Sequence, residues 1–289
     1  MKANDLLFYL YNFNPMKIRA LCTDIDGTLL DSKRELSSRT ISALQKVAQR
    51  MPVILASSRM PGAMTHLQRQ LNITDHPLIS YNGGFAVHYL NGSPPVVFDS
   101  VVIPADICSG ILKLAIGTSI HMSLYQANDW FAPALDHWTE REQRITKVNA
   151  SISDGVSVLK AWSAEKTGAH KIMCMGDEKE IHAMEYQLRE HFSDQIHIYR
   201  SRPTYLELAP GSVSKATALK TILLKQYQIE LSEVMAFGDN YNDIDLLQSA
   251  GLGIAVANAR EEVRAIAKEI TANSIDDGVA VAIEKYLLA

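Results

Sequence analysis

Two aspartates stand close together near the start of the chain. Asp24 and Asp26 lie in LCTDIDGTLLDS (residues 21–32), directly after the apolar run IRALC. Carboxylates at this range repel each other, and each makes the other harder to ionise. A solvated acidic turn explains such a pair, but it does not readily explain one that ends a buried strand. The pair is therefore a candidate for chemistry.

Other polar residues also stand where apolar runs end. Ser57 and Ser58 follow PVILA, Asn82 follows PLIS, Asp239 follows EVMAF, and Lys215 begins the helical pattern SKATALKTILLKQY. In an open parallel sheet, ligands bind outside the carboxyl ends of the strands. The sequence therefore predicts that acids, a hydroxyl group and a lysine meet at one rim of a sheet.

The elements that carry these residues alternate between strands and helices. After the first apolar run come the helical pattern LSSRTISALQKVAQR, the strand PVILA, the helical pattern PGAMTHLQRQL and the strand PLIS. The same alternation returns near the end of the chain. It predicts a doubly wound, Rossmann-like α/β core with a parallel sheet and right-handed crossovers.

The middle of the chain has a different pattern. FAVHYLNGSPPVVF predicts a hairpin that turns at Asn91-Gly92, and strands such as HMSLYQ and TYLELAP are grouped with the amphipathic helix EKEIHAMEYQLREHF. This grouping predicts an α+β cap domain inserted into the core. The predicted division is an N-terminal extension at 1–16, a core at 17–85 and 211–289, and a cap at 86–210.

Composition excludes several classes of protein. The 289 residues are 47% hydrophobic and 21% charged, and the net charge of −4 provides no basic field for nucleic acid. The three scattered cysteines suit a reducing compartment. The apolar segment LLFYLYNF is too short to span a bilayer, so we expect a cytoplasmic protein without a membrane partner. The oligomeric state is unknown from the sequence.

Four motifs together identify a family. DIDGTLL, SSR, PGSVSKATAL and FGDNYNDIDLL resemble, in order and spacing, those of the haloacid dehalogenase superfamily. The insert is similar to the large cap of the Cof-type phosphatases (subclass IIB), and ANAREEVRAIA and DDGVA match that group's C-terminal pattern. Two positions depart from the family: Ser57-Ser58-Arg59 replaces the usual Thr-Gly-Arg, and Ala216 replaces a common glycine.

The resemblance implies specific roles for the aspartates. Asp24 would attack phosphorus and form an aspartyl-phosphate, while Asp26 would protonate the leaving alcohol and then activate water. Mg²⁺ would be held by the Asp24 carboxylate, the Asp26 backbone carbonyl and Asp239. A divalent cation would also offset the repulsion between the clustered carboxylates.

The resemblance also implies a phosphate-binding set and two supporting residues. The phosphate-binding residues would be Ile25, Ser57, Ser58, Lys215 and Asn242. Asp243 would orient the metal ligands, and Asn242 would reach either the phosphate or those ligands. Asn82 would either contact the site or only satisfy a turn.

Three functions compete at this stage. The first is a Mg²⁺-dependent phosphatase for small phosphorylated metabolites, with sugar phosphates, pyridoxal phosphate and flavin mononucleotide all open as substrates. The second is a sugar phosphomutase, which a cluster of cap arginines would favour, although the five candidates are dispersed in sequence: Arg141, Arg144, Arg189, Arg200 and Arg202. The third is a receiver-like phosphoacceptor module, which would need neither Asp26 nor a large cap.

Aromatic residues in the insert leave two interpretations open. Trp130, Phe131 and Trp138 either line a substrate pocket or pack the cap's own core, and packing is the more frequent role of such residues. The alternating Met173 and Met175 predict a buried strand face.

Overall fold

The computed structural model describes residues 17–90 and 92–289. The predicted extension at 1–16 and Asn91 of the predicted turn lie outside these residues. The α-helices are α1 (Ser38–Ala48), α2 (Thr65–Leu71), α3 (Ala105–Ala115), α4 (His137–Thr146), α5 (Gly155–Ala164), α6 (Glu178–Phe192), α7 (Lys215–Ile222), α8 (Ile244–Ser249), α9 (Glu261–Ile266) and α10 (Gly278–Leu287).

Strands form three sheets. They are β1 (Ala20–Thr23), β2 (Val53–Ala56), β3 (Leu78–Ser80), β4 (Phe85–His88), β5 (Val96–Ser100), β6 (Ile103–Pro104), β7 (His121–Gln126), β8 (Asp129–Ala132), β9 (Ser151–Ile152), β10 (Gly168–Ala169), β11 (Lys171–Met175), β12 (Ile196–Arg202), β13 (Tyr205–Pro210), β14 (Val234–Gly238), β15 (Leu252–Ala255) and β16 (Glu269–Ile270). The short strands β6 and β10 pair only with each other.

The largest sheet has the strand order β16-β15-β14-β1-β2-β3-β4-β5. All neighbouring pairs from β16 to β3 are parallel. The pairs β3–β4 and β4–β5 are antiparallel. The predicted parallel α/β core is therefore confirmed. Because β1 lies between β14 and β2, the carboxyl ends of these three strands meet at one edge of the sheet.

Both faces of this sheet are covered, as the continuous apolar strands predicted. Leu21 of β1 packs in the same cluster as Leu44 of α1 and Ile283 of α10. Cys22, the next residue, points to the opposite face and packs in the cluster that contains Leu219 of α7 and Leu246 of α8. Alternate residues of a single strand thus hold the two helical layers in place.

The inserted part contains a second sheet with the order β12-β13-β11-β7-β8-β9. One face packs against α3, α5 and α6 through residues such as Ile172 and Leu208. Met173 and Met175 are buried on the other face and belong to the apolar cluster shared with the core, as their alternation predicted. This second face is the one turned toward the core.

Strand pairing adds one detail to the predicted domain edges. The boundary at residue 86 falls inside β4, and β4 and β5 pair with β3 as part of the large sheet. The strands β4 and β5 are therefore hydrogen-bonded into the core sheet, while the division of the chain into domains stays a prediction. None of the helices in the described part of the chain is long and apolar enough to cross a membrane.

Candidate active site

The site is built at the carboxyl ends of β1 and β14. Asp24 directly follows β1, and its N–H donates to the Phe237 carbonyl oxygen of β14 at 3.0 Å. Gly27 has φ of +85°, and a Cβ there would lie 2.5 Å from Asp239 Oδ2. Glycine therefore allows the Asp24 loop to approach the Asp239 loop closely.

A buried lysine links two acids of the site. Lys215 Nζ donates to Asp24 Oδ1 at 2.5 Å and to Asp243 Oδ1 at 2.7 Å, and the lysine has no exposed surface. It is the first residue of α7, whose N-cap Ser214 accepts a hydrogen bond from the Thr217 N–H. The helix start thereby fixes the ammonium group between the two carboxylates.

Asp243 uses both carboxylate oxygens within the protein. Oδ1 accepts from Lys215, while Oδ2 accepts from the backbone N–H groups of Asp239 (2.9 Å) and Asn240 (3.1 Å). The side chain is completely buried. Asp243 therefore positions the Asp239 loop, which agrees with the supporting role predicted for it.

Charge clustering changes the acidity of these groups. Burial raises the pKa of Asp24 well above its ordinary value, and Asp243 and Asp239 raise it further, against the opposing effect of Lys215. Burial and the Asp243 charge raise the pKa of Asp239 to about 6. Burial alone would lower the pKa of Lys215, but the two neighbouring carboxylates raise it above its ordinary value.

Two arginines hold the second aspartate of the opening motif. Arg59 donates from Nε to Asp26 Oδ2 and from Nη2 to Asp26 Oδ1, both at 2.7 Å, and Arg34 Nη2 donates to Oδ1 at 2.7 Å. Burial would raise the pKa of Asp26, but these two guanidinium groups outweigh it and lower the pKa to about 2. Sequence reasoning missed both arginines, although Arg59 ends the motif SSR.

Ser57, Asn82 and Asn242, which were also predicted to belong to the site, are linked to Arg59 and to each other by hydrogen bonds. Ser57 is buried, and its Oγ accepts from the Arg59 N–H at 3.2 Å. The Asn82 N–H donates to the Ser57 carbonyl oxygen at 3.0 Å, and Asn82 Oδ1 accepts from Asn242 Nδ2 at 2.9 Å. Ser58 is not among the residues with positive φ, so serine fits without strain where relatives have glycine.

A cavity of about 530 Å³ brings core and cap together. The predicted site residues that line it are Asp24, Asp26, Ser57, Ser58, Asn82, Asp239 and Asn242. Lys215 and Asp243 do not line the cavity but lie buried beneath Asp24. The Ile25 side chain is fully buried, so its predicted phosphate contact could come only from its backbone.

The acids have the composition expected of a divalent-cation site. Ligand atoms of Asp24, Asp239 and Asp243 lie within 4.8 Å of one another, and we call these three residues the acidic rim. Only one ammonium group, that of Lys215, offsets three carboxylates, so a hard divalent cation fits the charge. Asp243 accepts three hydrogen bonds through its two carboxylate oxygens, whereas the bonds to Asp24 from Lys215 and to Asp239 from Thr28 (2.9 Å) each reach only Oδ1. The donors best placed for a cation are therefore Asp24 and Asp239.

Two of the three aromatic residues singled out in the insert pack within it, and the third contacts a residue that lines the cavity. Trp130 is buried and its Nε1 donates to Ser123 Oγ at 3.0 Å, while Phe131 packs edge-on against Trp162. Neither residue lines the cavity. Trp138 packs edge-on against Tyr205, with ring centroids 5.5 Å apart, and Tyr205 does line the cavity.

Comparison with known proteins agrees with this arrangement. A family model described as haloacid dehalogenase-like hydrolase matches residues 21–283. The HMP-PP phosphatase of Escherichia coli is 28% identical over 250 residues, 86% of this chain and 87% of that protein.

Solved structures have the same fold. A haloacid dehalogenase-like hydrolase from Bacteroides thetaiotaomicron superimposes with a TM-score of 0.81 at 29% identity, over 93% of this chain and 99% of that one. A subclass IIB sugar phosphatase superimposes with a TM-score of 0.77 at 22% identity, over 94% of this chain and 100% of that one.

The chain therefore belongs to the haloacid dehalogenase-like hydrolase family, as its four motifs predicted. The predicted class of enzyme, a phosphoric monoester hydrolase, is confirmed as well.

Proposed function

We propose that this protein is a Mg²⁺-dependent phosphatase that hydrolyses small phosphate monoesters through an aspartyl-phosphate on Asp24. The observation that carries the proposal is the buried Lys215 ammonium group bonded to both Asp24 and Asp243, where Asp24 lines the cavity that core and cap share. This arrangement places a carboxylate nucleophile and a fixed positive charge at the same point.

Each residue would act in a defined way. Asp24 Oδ1 is held by Lys215, so the other oxygen of the carboxylate is the atom to attack phosphorus. Lys215 and Ser57 would stabilise charge on the phosphoryl oxygens in the transition state. Asn242, held by Asn82, would fix the ester within the same cavity.

Asp26 is the group to move protons. In this structure Arg59 and Arg34 hold its carboxylate ionised, which is the form needed to take a proton from water in the hydrolysis of the aspartyl-phosphate. Donation of a proton to the leaving alcohol requires that these contacts loosen when the substrate binds. We infer that Arg59 and Arg34 hold the Asp26 carboxylate in position after the alcohol has left and before water attacks the aspartyl-phosphate.

Mg²⁺ would be held by the Asp24 carboxylate, the Asp26 backbone carbonyl and Asp239. Bound there, it would neutralise charge on the carboxylates and on the phosphate dianion. The excess of acids over bases at the acidic rim supports this assignment.

A phosphomutase is the second candidate, because three of the five cap arginines line the cavity: Arg141, Arg200 and Arg202. A mutase would return the phosphoryl group to a sugar and release little inorganic phosphate. A receiver-like switch has no such support, since it would have no use for Asp26 or the cap.

The deciding experiment follows the fate of phosphorus. Purified protein with Mg²⁺ should release inorganic phosphate from p-nitrophenyl phosphate and from sugar phosphates, and EDTA should stop the release. Asp24→Asn should lower turnover by about 10⁴-fold or more and form no phosphoenzyme, because an amide is a poor nucleophile of similar shape.

Asp245→Asn is a matched control, since Asp245 is an exposed acid in the first turn of α8. Phosphate release that survives thorough EDTA treatment would contradict the metal assignment. Isomerisation of a sugar phosphate without phosphate release would favour the mutase.

A further inference from the structure

The cap contributes to the cavity two arginines that form no salt bridge with the part of the chain that the structure describes. The cap wall, as we define it, comprises Arg141, Glu142, Arg202 and Tyr205, all of which line the cavity that Asp24 and Asp239 also line. Arg141 and Glu142 come from α4, Arg202 ends β12 and Tyr205 begins β13. Three elements of the cap thus bring these side chains together.

Most other charged groups in the same cavity have partners among the residues that the structure describes; the exception among the arginines is Arg260 of the core, whose guanidinium carbon lies 5.8 Å from the centroid of the Tyr241 ring. Arg200 Nη1 pairs with Glu185 at 3.1 Å, and Arg34 pairs with Asp26. Glu142 Oε1 accepts from the Tyr205 hydroxyl group at 3.0 Å, and Glu207 lies 4.0 Å from Lys171 Nζ. These contacts offset the charges locally.

Arg141 and Arg202 differ from the paired groups because both contact the ring of Tyr205. Their guanidinium carbons lie 5.3 Å and 5.9 Å from the centroid of the Tyr205 ring. Within residues 17–90 and 92–289, neither has a carboxylate at ion-pair distance among the salt bridges of the structure. Contact with an aromatic ring orients a guanidinium group but leaves its charge and its N–H donors available.

Tyr205 provides a fixed support for both. Its hydroxyl group is bonded to Glu142, its ring packs edge-on against Trp138, and the residue is only 4% exposed. Arginine on a fixed aromatic ring loses less side-chain freedom on binding an anion than arginine in solvent. Two such guanidinium groups form a site for a phosphate or carboxylate group.

We propose that Arg141 and Arg202 bind a second anionic group of the substrate, so that the substrates are small phosphate monoesters with a further phosphate or carboxylate. This inference rests on the proposed function, which places the reacting phosphate at the acidic rim. Because Asp24 and Asp239 of the acidic rim line the same cavity as the cap wall, a single small molecule can reach both. The acidic rim repels anions unless a cation is bound, so the second anionic group is directed to the cap wall.

The test compares two pairs of ligands that differ only in the second anionic group. The phosphate pair is fructose 6-phosphate and fructose 1,6-bisphosphate, and the carboxylate pair is glucitol 6-phosphate and 6-phosphogluconate, which are both open chains. Binding is measured by calorimetry with Mg²⁺ in the Asp24→Asn background, where the ligands are not hydrolysed. We expect tighter binding of the doubly anionic member of at least one pair, and that pair identifies the chemical group.

Arg141→Gln and Arg202→Gln should each weaken that doubly anionic member by about 10- to 100-fold, the usual effect of losing a charge-assisted hydrogen bond. The singly phosphorylated member should be nearly unaffected. Arg141→Lys and Arg202→Lys, which keep the charge but lose the planar fork, should be intermediate. Arg144→Gln is the matched control, because Arg144 lies on the same helix, is exposed and does not line the cavity.

The proposal is overturned if neither pair shows a preference for the second anionic group, or if the arginine variants weaken both members of a pair equally. Failure of the proposed function gives a different result. In that case the unmodified protein releases no phosphate from p-nitrophenyl phosphate, while the binding preference and its dependence on the two arginines persist.

Discussion

The acidic rim and the cap wall face the same cavity but hold their charges in opposite ways. At the acidic rim, Asp24 and Asp243 are buried and share one buried lysine. In the cap wall, Arg141 is half-buried, Arg202 is exposed and neither is paired with an acid. Under the proposed function, the core would supply preorganised groups for phosphoryl transfer, and the cap would supply charges for a ligand to pair with.

The largest effect is expected when the buried lysine is removed. Lys215→Met should lower the free energy of unfolding by about 3–5 kcal/mol, because two buried carboxylates lose their counter-charge. Arg141→Gln should change it by no more than about 0.5 kcal/mol. Urea unfolding of the two variants measures both values, and Asp243→Asn added to Lys215→Met should recover part of the loss. Equal stability of the two single variants would break the comparison.

Loss of Asp26 should impair catalysis on every substrate alike. Asp26→Asn is expected to lower turnover by about 10²–10⁴-fold, the usual contribution of general acid–base catalysis. Since the core performs the chemistry, p-nitrophenyl phosphate and the best natural ester should lose similar factors in kcat. A much larger loss on the natural ester alone would instead give Asp26 a role in specificity.

Contact between core and cap should depend on pH through His170. Its ring stacks on Tyr81, Nδ1 accepts from the Ala127 N–H, and Nε2 lies 3.0 Å from Ser100 Oγ. Burial lowers the pKa of His170 to about 4, so its neutral form stabilises the fold above pH 6.5. That contribution is lost as the pH falls toward 4, because the unfolded chain binds the proton more readily.

At pH 5 the expected loss is about 2 kcal/mol relative to pH 7. Urea unfolding at both pH values checks this, and His170→Gln should lose correspondingly less stability between them. An identical pH dependence in the variant would show that folding does not change the pKa of His170.

The smallest expected effect is a difference in kcat between variants of the two arginines that hold Asp26. Arg59 makes two hydrogen bonds and is 14% exposed, whereas Arg34 makes one and is 47% exposed. Arg59→Gln should lower kcat by about 10-fold, and Arg34→Gln should lower it less. Losing Arg59 raises the pKa of Asp26 from about 2, so the acid limb of the pH–rate profile should move to higher pH. An unmoved limb would exclude this orienting role.

Much of the core site follows from the sequence because parallel strands order their carboxyl ends. Asp24, Ser57, Asn82 and Asp239 each lie one or two residues after an apolar run, so a correct strand assignment was sufficient to bring them together. Lys215 was placed by the start of a helix. In each case, the local sequence pattern determines where the backbone leaves the strand or enters the helix. The other four side chains are short and have little freedom, and that of Lys215 is restricted by its complete burial.

Long side chains and sheet membership were less predictable. Arg34 is eight residues from Asp26 and Arg59 is 33 residues away, and only tertiary packing turns both toward one carboxylate. The hairpin of β4 and β5 was assigned to the insert, yet it pairs with β3. The local sequence predicts that β4 and β5 pair with each other. It does not indicate which of the two large sheets the hairpin joins.

The long separation of the rim residues along the chain has a consequence for folding. Lys215 and Asp24 are 191 residues apart, and β1 pairs with β14, which is made after the whole insert. Closing a loop of this length costs less entropy when the intervening chain is already compact. The insert has an apolar core of its own, so it can collapse first during synthesis and shorten the effective loop. Besides choosing the substrate, the insert would then speed the assembly of the acids and the lysine on which catalysis depends.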